Sequence, residues 1–131
     1  MKYVTMALAL LSTPVIAQDC RDKLAETMYS EARGKPVEYV VAIGHNVKNR
    51  AKRTKTTICQ AANGYTQKKL PSDMKAAFLV LASGVLSGQI PDNTKGADSY
   101  ELGRPSYKGQ TTRSISGGTF YVMKEVPWVR R

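Results

Sequence analysis

Glu31 is the residue whose type and position suit it best to proton transfer. In the run from Leu24 to Ala32, the residues Leu24, Ala25, Met28 and Ala32 recur at helical spacing. Glu31 follows Met28 by three positions and Leu24 by seven, which puts its carboxylate on the apolar stripe, whereas Glu26 projects to a more polar side. An acid on a core-facing stripe is costly unless it is neutral, paired or lining a cleft. Partial burial raises a carboxyl pKa, and a raised pKa suits a general acid near neutral pH. The alternative is a structural glutamate at a helix end, paired with Arg33 or a neighbouring arginine. Asp92, Asp98 and Glu101 are candidate partner carboxylates, each in a Gly-rich stretch where acids also serve as turn residues.

The other reactive side chains are few. There are two cysteines, Cys20 and Cys59, and a single histidine, His45. A thiol nucleophile paired with His45 is one reading, and a disulfide is the other. A catalytic zinc site ordinarily takes three protein ligands, mostly His. With one histidine, no HExxH and no paired CxxC, neither a metal nor a cofactor is expected. No Gly-rich phosphate loop follows a strand, so nucleotide chemistry has no support. His45 falls beside the apolar stripe of its segment and reads as a packed or surface histidine.

A chain of 131 residues has room for one domain and one modest core. Its 42% hydrophobic content is too high for a disordered segment. The formal charge of +10 suits an anionic partner, whether nucleic acid, acidic lipid or bacterial envelope, or simply solubility. The first residues reduce that choice. Lys2, the mostly apolar Val4 to Leu11, Pro14 and Val15-Ile16-Ala17 have the layout of a secretory signal peptide over residues 1–17, with a mature domain over 18–131. The apolar run is short for a membrane span, and Pro14 counts against a retained anchor or a buried helix. The mature chain is expected to be secreted or periplasmic. There, an even cysteine count favours a Cys20–Cys59 disulfide over a free thiol.

Several elements must position Glu31. Asp19 or Asp22 can cap the first helix, and Gly34 ends it. Pro36 opens a second helix with Val37, Val40, Val41, Gly44, Val47 and Ala51 along one face. Gly44 in that stripe predicts close approach of another helix, with the helix of Glu31 as the candidate. Lys48, Arg50, Lys52, Arg53 and Lys55 form a basic end, read as a solvated face with envelope contact as the alternative. Asn63-Gly64 marks a turn, followed by the polar, aromatic Tyr65-Thr66-Gln67. Pro71-Ser72-Asp73 opens a third helix with Met74, Ala77, Phe78, Leu81, Ala82 and Val85 inward and Gly88 at its end. From Ile90 onward turn residues dominate, with Tyr100 and Tyr107 interleaved and a short strand expected at Thr119 to Met123. The fold class is mostly α, an α+β arrangement with a small helical domain, an irregular C-terminal third and a short β element.

Together these residues resemble a known family. Tyr29-Ser30-Glu31-Ala32-Arg33-Gly34 is similar to the signature of the SleB-type cell wall hydrolases, the group that includes spore cortex-lytic enzymes. The similarity continues in order through Val40-Val41-Ala42, Asn49-Arg50, Thr57-Ile58-Cys59 and Gly64-Tyr65. Asp92-Asn93-Thr94-Lys95-Gly96-Ala97 resembles the family's Asp-Pro-Thr-Gly-Gly-Ala turn, and Ile115 to Tyr121 its closing Gly-rich strand. The resemblance implies a lysozyme-like fold and cleavage of the MurNAc–GlcNAc linkage of peptidoglycan, with Glu31 at the position of the catalytic glutamate. The chain departs at Lys35, Lys95 and Gly118, where the family has an acidic residue, a second glycine and a histidine. No separate peptidoglycan-binding module is evident, which points to phage lysis or bacterial wall remodelling rather than germination.

The residues expected to contact the glycan are Arg33, Asn49, Tyr65, Gln67, Asp92, Tyr100 and Tyr121. The expected partner is the peptidoglycan glycan strand, with no nucleic acid and no metal, and the protein acting as a monomer. A hydrolysing glycosidase ordinarily uses two carboxylates. A lytic transglycosylase works with one, and Glu31 alone is marked by both pattern and resemblance, so transglycosylation is favoured over muramidase hydrolysis. Two other classes stay open: a non-enzymatic exported cationic protein that binds the envelope, and a peptidoglycan amidase or peptidase using Cys20 or Cys59.

Overall fold

A computed structural model describes residues 20–102 and 109–123, so the expected signal peptide and Tyr107 lie outside the described residues. About half of the described residues are helical, in four helices, and a small antiparallel sheet completes a helix-rich α+β domain. No helix of the described residues is long and apolar enough to cross a membrane.

Helix α1 runs through residues 20–32. It buries Leu24, Ala25, Met28 and Ala32, and Gly34 follows at φ 80, a left-handed value that glycine adopts without strain. Helix α2 spans Val37–Thr54 behind Pro36, which stands at the N-cap. Its Tyr39, Val40, Ile43, Gly44, Val47 and Ala51 face the core, but Val37 in the first turn is 62% exposed and leaves the expected stripe. A Cβ on Gly44 would sit 3.0 Å from Met28 Sδ and 3.2 Å from Val85 Cγ2. The glycine therefore lets α1 and the last helix approach α2 at one point, as its place in the stripe predicts.

A short helix not anticipated from the sequence, α3, covers Ile58–Ala62. Its start is a capping box: Thr57 Oγ1 accepts from Gln60 N at 3.1 Å, and Gln60 Oε1 accepts from Thr57 N at 3.0 Å. The Cys20–Cys59 disulfide, with Cα atoms 5.1 Å apart, joins α3 to the start of α1. Closing a loop of 39 residues stabilises the fold by up to about 4 kcal/mol in the chain-entropy view. Helix α4, Lys75–Ser87, ends at Gly88 in the left-handed region. It buries Ala82, Gly84 and Val85, while Met74 and Ala77, expected to face inward, are exposed. His45 is buried and its Nε2 lies 2.8 Å from the carbonyl of Ile90, fixing the segment that leaves α4.

The C-terminal third is more regular than the single expected strand. Strands β1 (Ser99–Leu102), β2 (Gly109–Ile115) and β3 (Gly118–Met123) form an antiparallel sheet in the order β1-β3-β2. Ser116 and Gly117, at φ 46 and 85, make the tight turn between β2 and β3, a twist-matched hairpin connection. The register places Tyr100 opposite Phe120 and Leu102 opposite Gly118. Tyr39 and Phe120, both fully buried, pack edge to face at 5.8 Å and bring the sheet onto the start of α2.

Candidate active site

Glu31 stands near the C-terminal end of α1, where Thr27, Ser30 and Glu31 lie at i, i+3 and i+4 on one face. That polar edge is stitched to the loop after Gly64. Gln67 Nε2 donates to Thr27 Oγ1 at 2.5 Å and to Ala62 O at 2.8 Å, and Lys68 N donates to Ser30 Oγ at 2.6 Å. Thr66 N donates to Glu31 Oε2 at 2.6 Å, and the phenol of Tyr100 donates to Oε1. Glu31 is half-buried between loop and sheet, at the border of the apolar stripe rather than within it. Among the described residues no arginine pairs with it. Arg33 lies over the Tyr29 ring, 5.8 Å from its centroid, and Arg53 pairs with Asp98.

These contacts leave a cleft of about 530 Å³, lined among the described residues by Glu31, Tyr39, Arg50, Gly64, Tyr65, Tyr100, Glu101 and Leu102. Aromatic rings build one wall: Tyr65 stacks on Tyr100 at 6.4 Å, and Tyr100 on Phe120 at 5.5 Å. Tyr65 is fixed from behind by its hydroxyl, which donates to Asn46 Oδ1 at 2.5 Å, and from its face by the Arg50 guanidinium at 4.4 Å. Such a wall, rigid and amphipathic, suits the apolar faces of sugar rings. Burial, reinforced by the hydrogen bond to Glu31 and its charge, pushes the Tyr100 phenol well above the usual tyrosine range. Burial likewise raises Tyr65, with Arg50 opposing and the Glu31 charge adding to it, and raises Tyr39, again with Glu31 adding to the effect. All three phenols are therefore neutral donors at physiological pH.

The remaining acids divide clearly. Asp98 is 3% exposed and works as a latch: Arg53 Nε lies 2.6 Å from its Oδ2, and Met123 N and Ser99 Oγ donate to its Oδ1. Asp92 organises the turn after α4, accepting from Thr94 N at 2.8 Å, Thr94 Oγ1 at 2.6 Å, Gly96 N at 3.0 Å and Asn49 Nδ2 at 3.0 Å. Burial alone would raise its pKa, but these hydrogen bonds outweigh burial and hold it below the ordinary value. Glu101 alone of the three lines the cleft with Glu31.

Of the residues expected to contact a glycan, Tyr65 and Tyr100 line the cleft. Asn49 binds Asp92 and the carbonyl of Ala97, Gln67 clamps the loop to α1, and Tyr121, within β3, is 2% exposed. None of these residues lines the cleft, nor do Asp92 and Arg33. Tyr39, Arg50 and Leu102 were not anticipated. Tyr39, Asn46, Arg50 and Arg53 follow one another by seven, four and three positions, a polar line along α2 that could have revealed the two wall residues in it. The basic end of α2 is accordingly not a uniformly solvated face. Arg50 and Arg53 are committed to Tyr65 and Asp98, and Lys48 Nζ donates to Val85 O at 3.0 Å. Among the described residues no group of His, Cys, Asp or Glu is placed to hold a metal ion.

No protein-family model matches the chain, and the comparisons with curated proteins and with solved structures give no match either.

Proposed function

We propose that this protein cleaves the MurNAc–GlcNAc linkage of peptidoglycan as a lytic transglycosylase of the SleB type, on a lysozyme-like fold, after export from the cytoplasm. The observation that carries this reading is Glu31, held by a backbone amide and a phenol at the edge of an aromatic cleft. The sequence resemblance gains support from one departure. Lys95 stands where the family has glycine, and it adopts φ 54, the left-handed conformation for which glycine is suited.

In this reading a protonated Glu31 gives its proton to the glycosidic oxygen as the bond from the MurNAc anomeric carbon to that oxygen breaks. The resulting carboxylate then takes the proton of the MurNAc 6-hydroxyl, whose oxygen closes onto the anomeric carbon to form a 1,6-anhydro ring. No water is consumed, and Glu31 ends protonated, ready for another cycle. Each carboxylate oxygen has two lone pairs, so the bonds from Thr66 and Tyr100 leave sites on Glu31 for this exchange. Both cysteines are joined and His45 is turned to Ile90, which leaves no thiol–imidazole pair for an amidase.

The test is Glu31→Gln, assayed on purified cell walls with mass spectrometry of the released fragments. The parent should give 1,6-anhydro products, and the variant should fold, bind walls and lose ~10²–10⁴-fold in rate. A parent with no lytic activity that still binds walls would favour the cationic envelope-binding protein instead.

A further inference from the structure

We propose that Arg50 forms an anion-recognition subsite of the cleft, holding a carboxylate carried by the glycan; this rests on the glycan-cleaving reading above. Arg50 lines the same cleft as Glu31, and the plane of its guanidinium is set by two contacts. Nε donates to the carbonyl of Asp98 at 3.1 Å, and the guanidinium carbon lies 4.4 Å from the Tyr65 ring centroid. A guanidinium carries five N–H donors in a fixed fork that matches a carboxylate, and the Nε–H is the one used here. The side chain of the residue it bonds does not neutralise it. Asp98 spends its side chain on Arg53, Met123 N and Ser99, and offers Arg50 only its backbone oxygen. Among the described residues, no carboxylate pairs with Arg50.

Gly64 keeps the fork accessible. A Cβ there would stand 3.3 Å from Arg50 Nη1, so any side chain at this position, which also lines the cleft, would crowd that nitrogen. Lys48, close by on the same helix, is already bonded to the carbonyls of Val85 and Leu86. Among the described residues, the other charged groups lining the cleft are two acids, Glu31 and Glu101, which disfavour an anionic ligand. Arg50 is what offsets them, and it is preorganised before the ligand arrives. A carboxylate on a peptidoglycan strand has two sources: the lactyl group of a muramic residue whose peptide has been removed, and the stem peptide itself.

The experiment uses Glu31→Gln protein, which cannot consume its ligand, and calorimetric titration with three MurNAc–GlcNAc tetrasaccharides. One carries free lactyl carboxylates, one has them capped as methylamides, and one bears stem peptides. The free-carboxylate form should bind ~10-fold or more tightly than the methylamide. That gap should close when Arg50→Gln is added and survive in part with Arg50→Lys. If only the peptide-bearing form gains over the methylamide, and loses that gain with Arg50→Gln, the subsite reads the stem carboxylate. Equal affinity for all three ligands overturns the subsite while leaving the cleavage reading intact. Failure to bind any of the three overturns the cleavage reading and the subsite with it. Because the decisive comparison is between ligands on one protein, it stands even if an Arg50 variant does not fold.

Discussion

The phenol of Tyr100 donates to Glu31 Oε1, and the backbone that carries Tyr100 pairs across the sheet with Phe120. The orientation of the proposed acid is thus tied to the register between β1 and β3. In the proposed reaction the Tyr100 phenol would act through Glu31, as a positioning group. Tyr100→Phe keeps the ring stack and removes only the donor. The expected outcome is an unchanged melting temperature, with kcat down by ~10–10²-fold and KM nearly constant on a soluble glycan. A parental kcat in Tyr100→Phe would show that the phenol contributes nothing beyond packing.

Alkaline pH tests the same wall without mutation. Tyr39, Tyr65 and Tyr100 all have pKa values raised from the ordinary 10.0, chiefly by burial. For each, the unfolded chain gives up its proton first, so stability is fully present below pH 10 and falls as the pH rises past it. Tyr65 alone can contribute a slope approaching ~1.4 kcal/mol per pH unit there. Absorbance of tyrosinate and circular dichroism, followed together above pH 10, should show these three ionising with unfolding and not before it. Early, reversible ionisation of Tyr39, Tyr65 and Tyr100 in a folded protein would contradict their burial.

Gly118 joins the sheet to α2 by what it lacks. A Cβ there would come within 2.7 Å of Tyr39 Cε2 and 3.3 Å of Phe120 Cε2. The ring of Tyr39, a cleft residue, occupies the space that a side chain at 118 would take. Gly118→Ala should therefore destabilise by ~1–3 kcal/mol through overpacking. It should also lower activity by displacing Tyr39, which Tyr39→Phe at the same site should not do to the same degree. Thermal melts and wall-lysis rates of the two variants check this, and a parental melt for Gly118→Ala would mean that the ring moves aside freely.

How far the sequence anticipates this arrangement depends on whether the signal is local. The helical spacing of Leu24, Met28 and Glu31 brings that carboxylate to the edge of the apolar stripe, and Gly44 within a second stripe marks the crossing of α1, α2 and α4. Thr57-x-x-Gln60 is a local signal as well, a capping box overlooked because the helix behind it has only five residues. The sheet is different. β2 reads Gly-Gln-Thr-Thr-Arg-Ser-Ile, polar at nearly every position, and its pairing with β3 depends on a turn and a bulge rather than on alternation. Likewise nothing near Asp98 in the chain announces Arg53, 45 residues earlier, so a buried latch and a catalytic carboxylate look alike until the two elements meet.

Glu101 decides between the two chemistries open to this cleft. Of the three candidate partner acids only Glu101 lines the cleft with Glu31, so a second carboxylate for hydrolysis would have to be Glu101. A hydrolase uses that group to activate water or to attack the sugar, and its loss costs ~10²–10⁴-fold. A transglycosylase uses the substrate's own 6-hydroxyl and has no such need. Glu101→Gln keeps the length and hydrogen-bonding reach of the side chain in β1, where residue 101 faces Thr119 in the register, so the fold should be retained. The expected result is lysis within ~3-fold of the parent, a change of well under 1.4 kcal/mol in the barrier, with products still closed as 1,6-anhydro rings. The opposite result is equally readable: a large loss of rate, with parental fragments that end in a free reducing sugar, would make Glu101 the second catalytic carboxylate and the protein a muramidase. Fragment masses distinguish the two directly, because a hydrolytic cut adds one water that the anhydro ring does not contain.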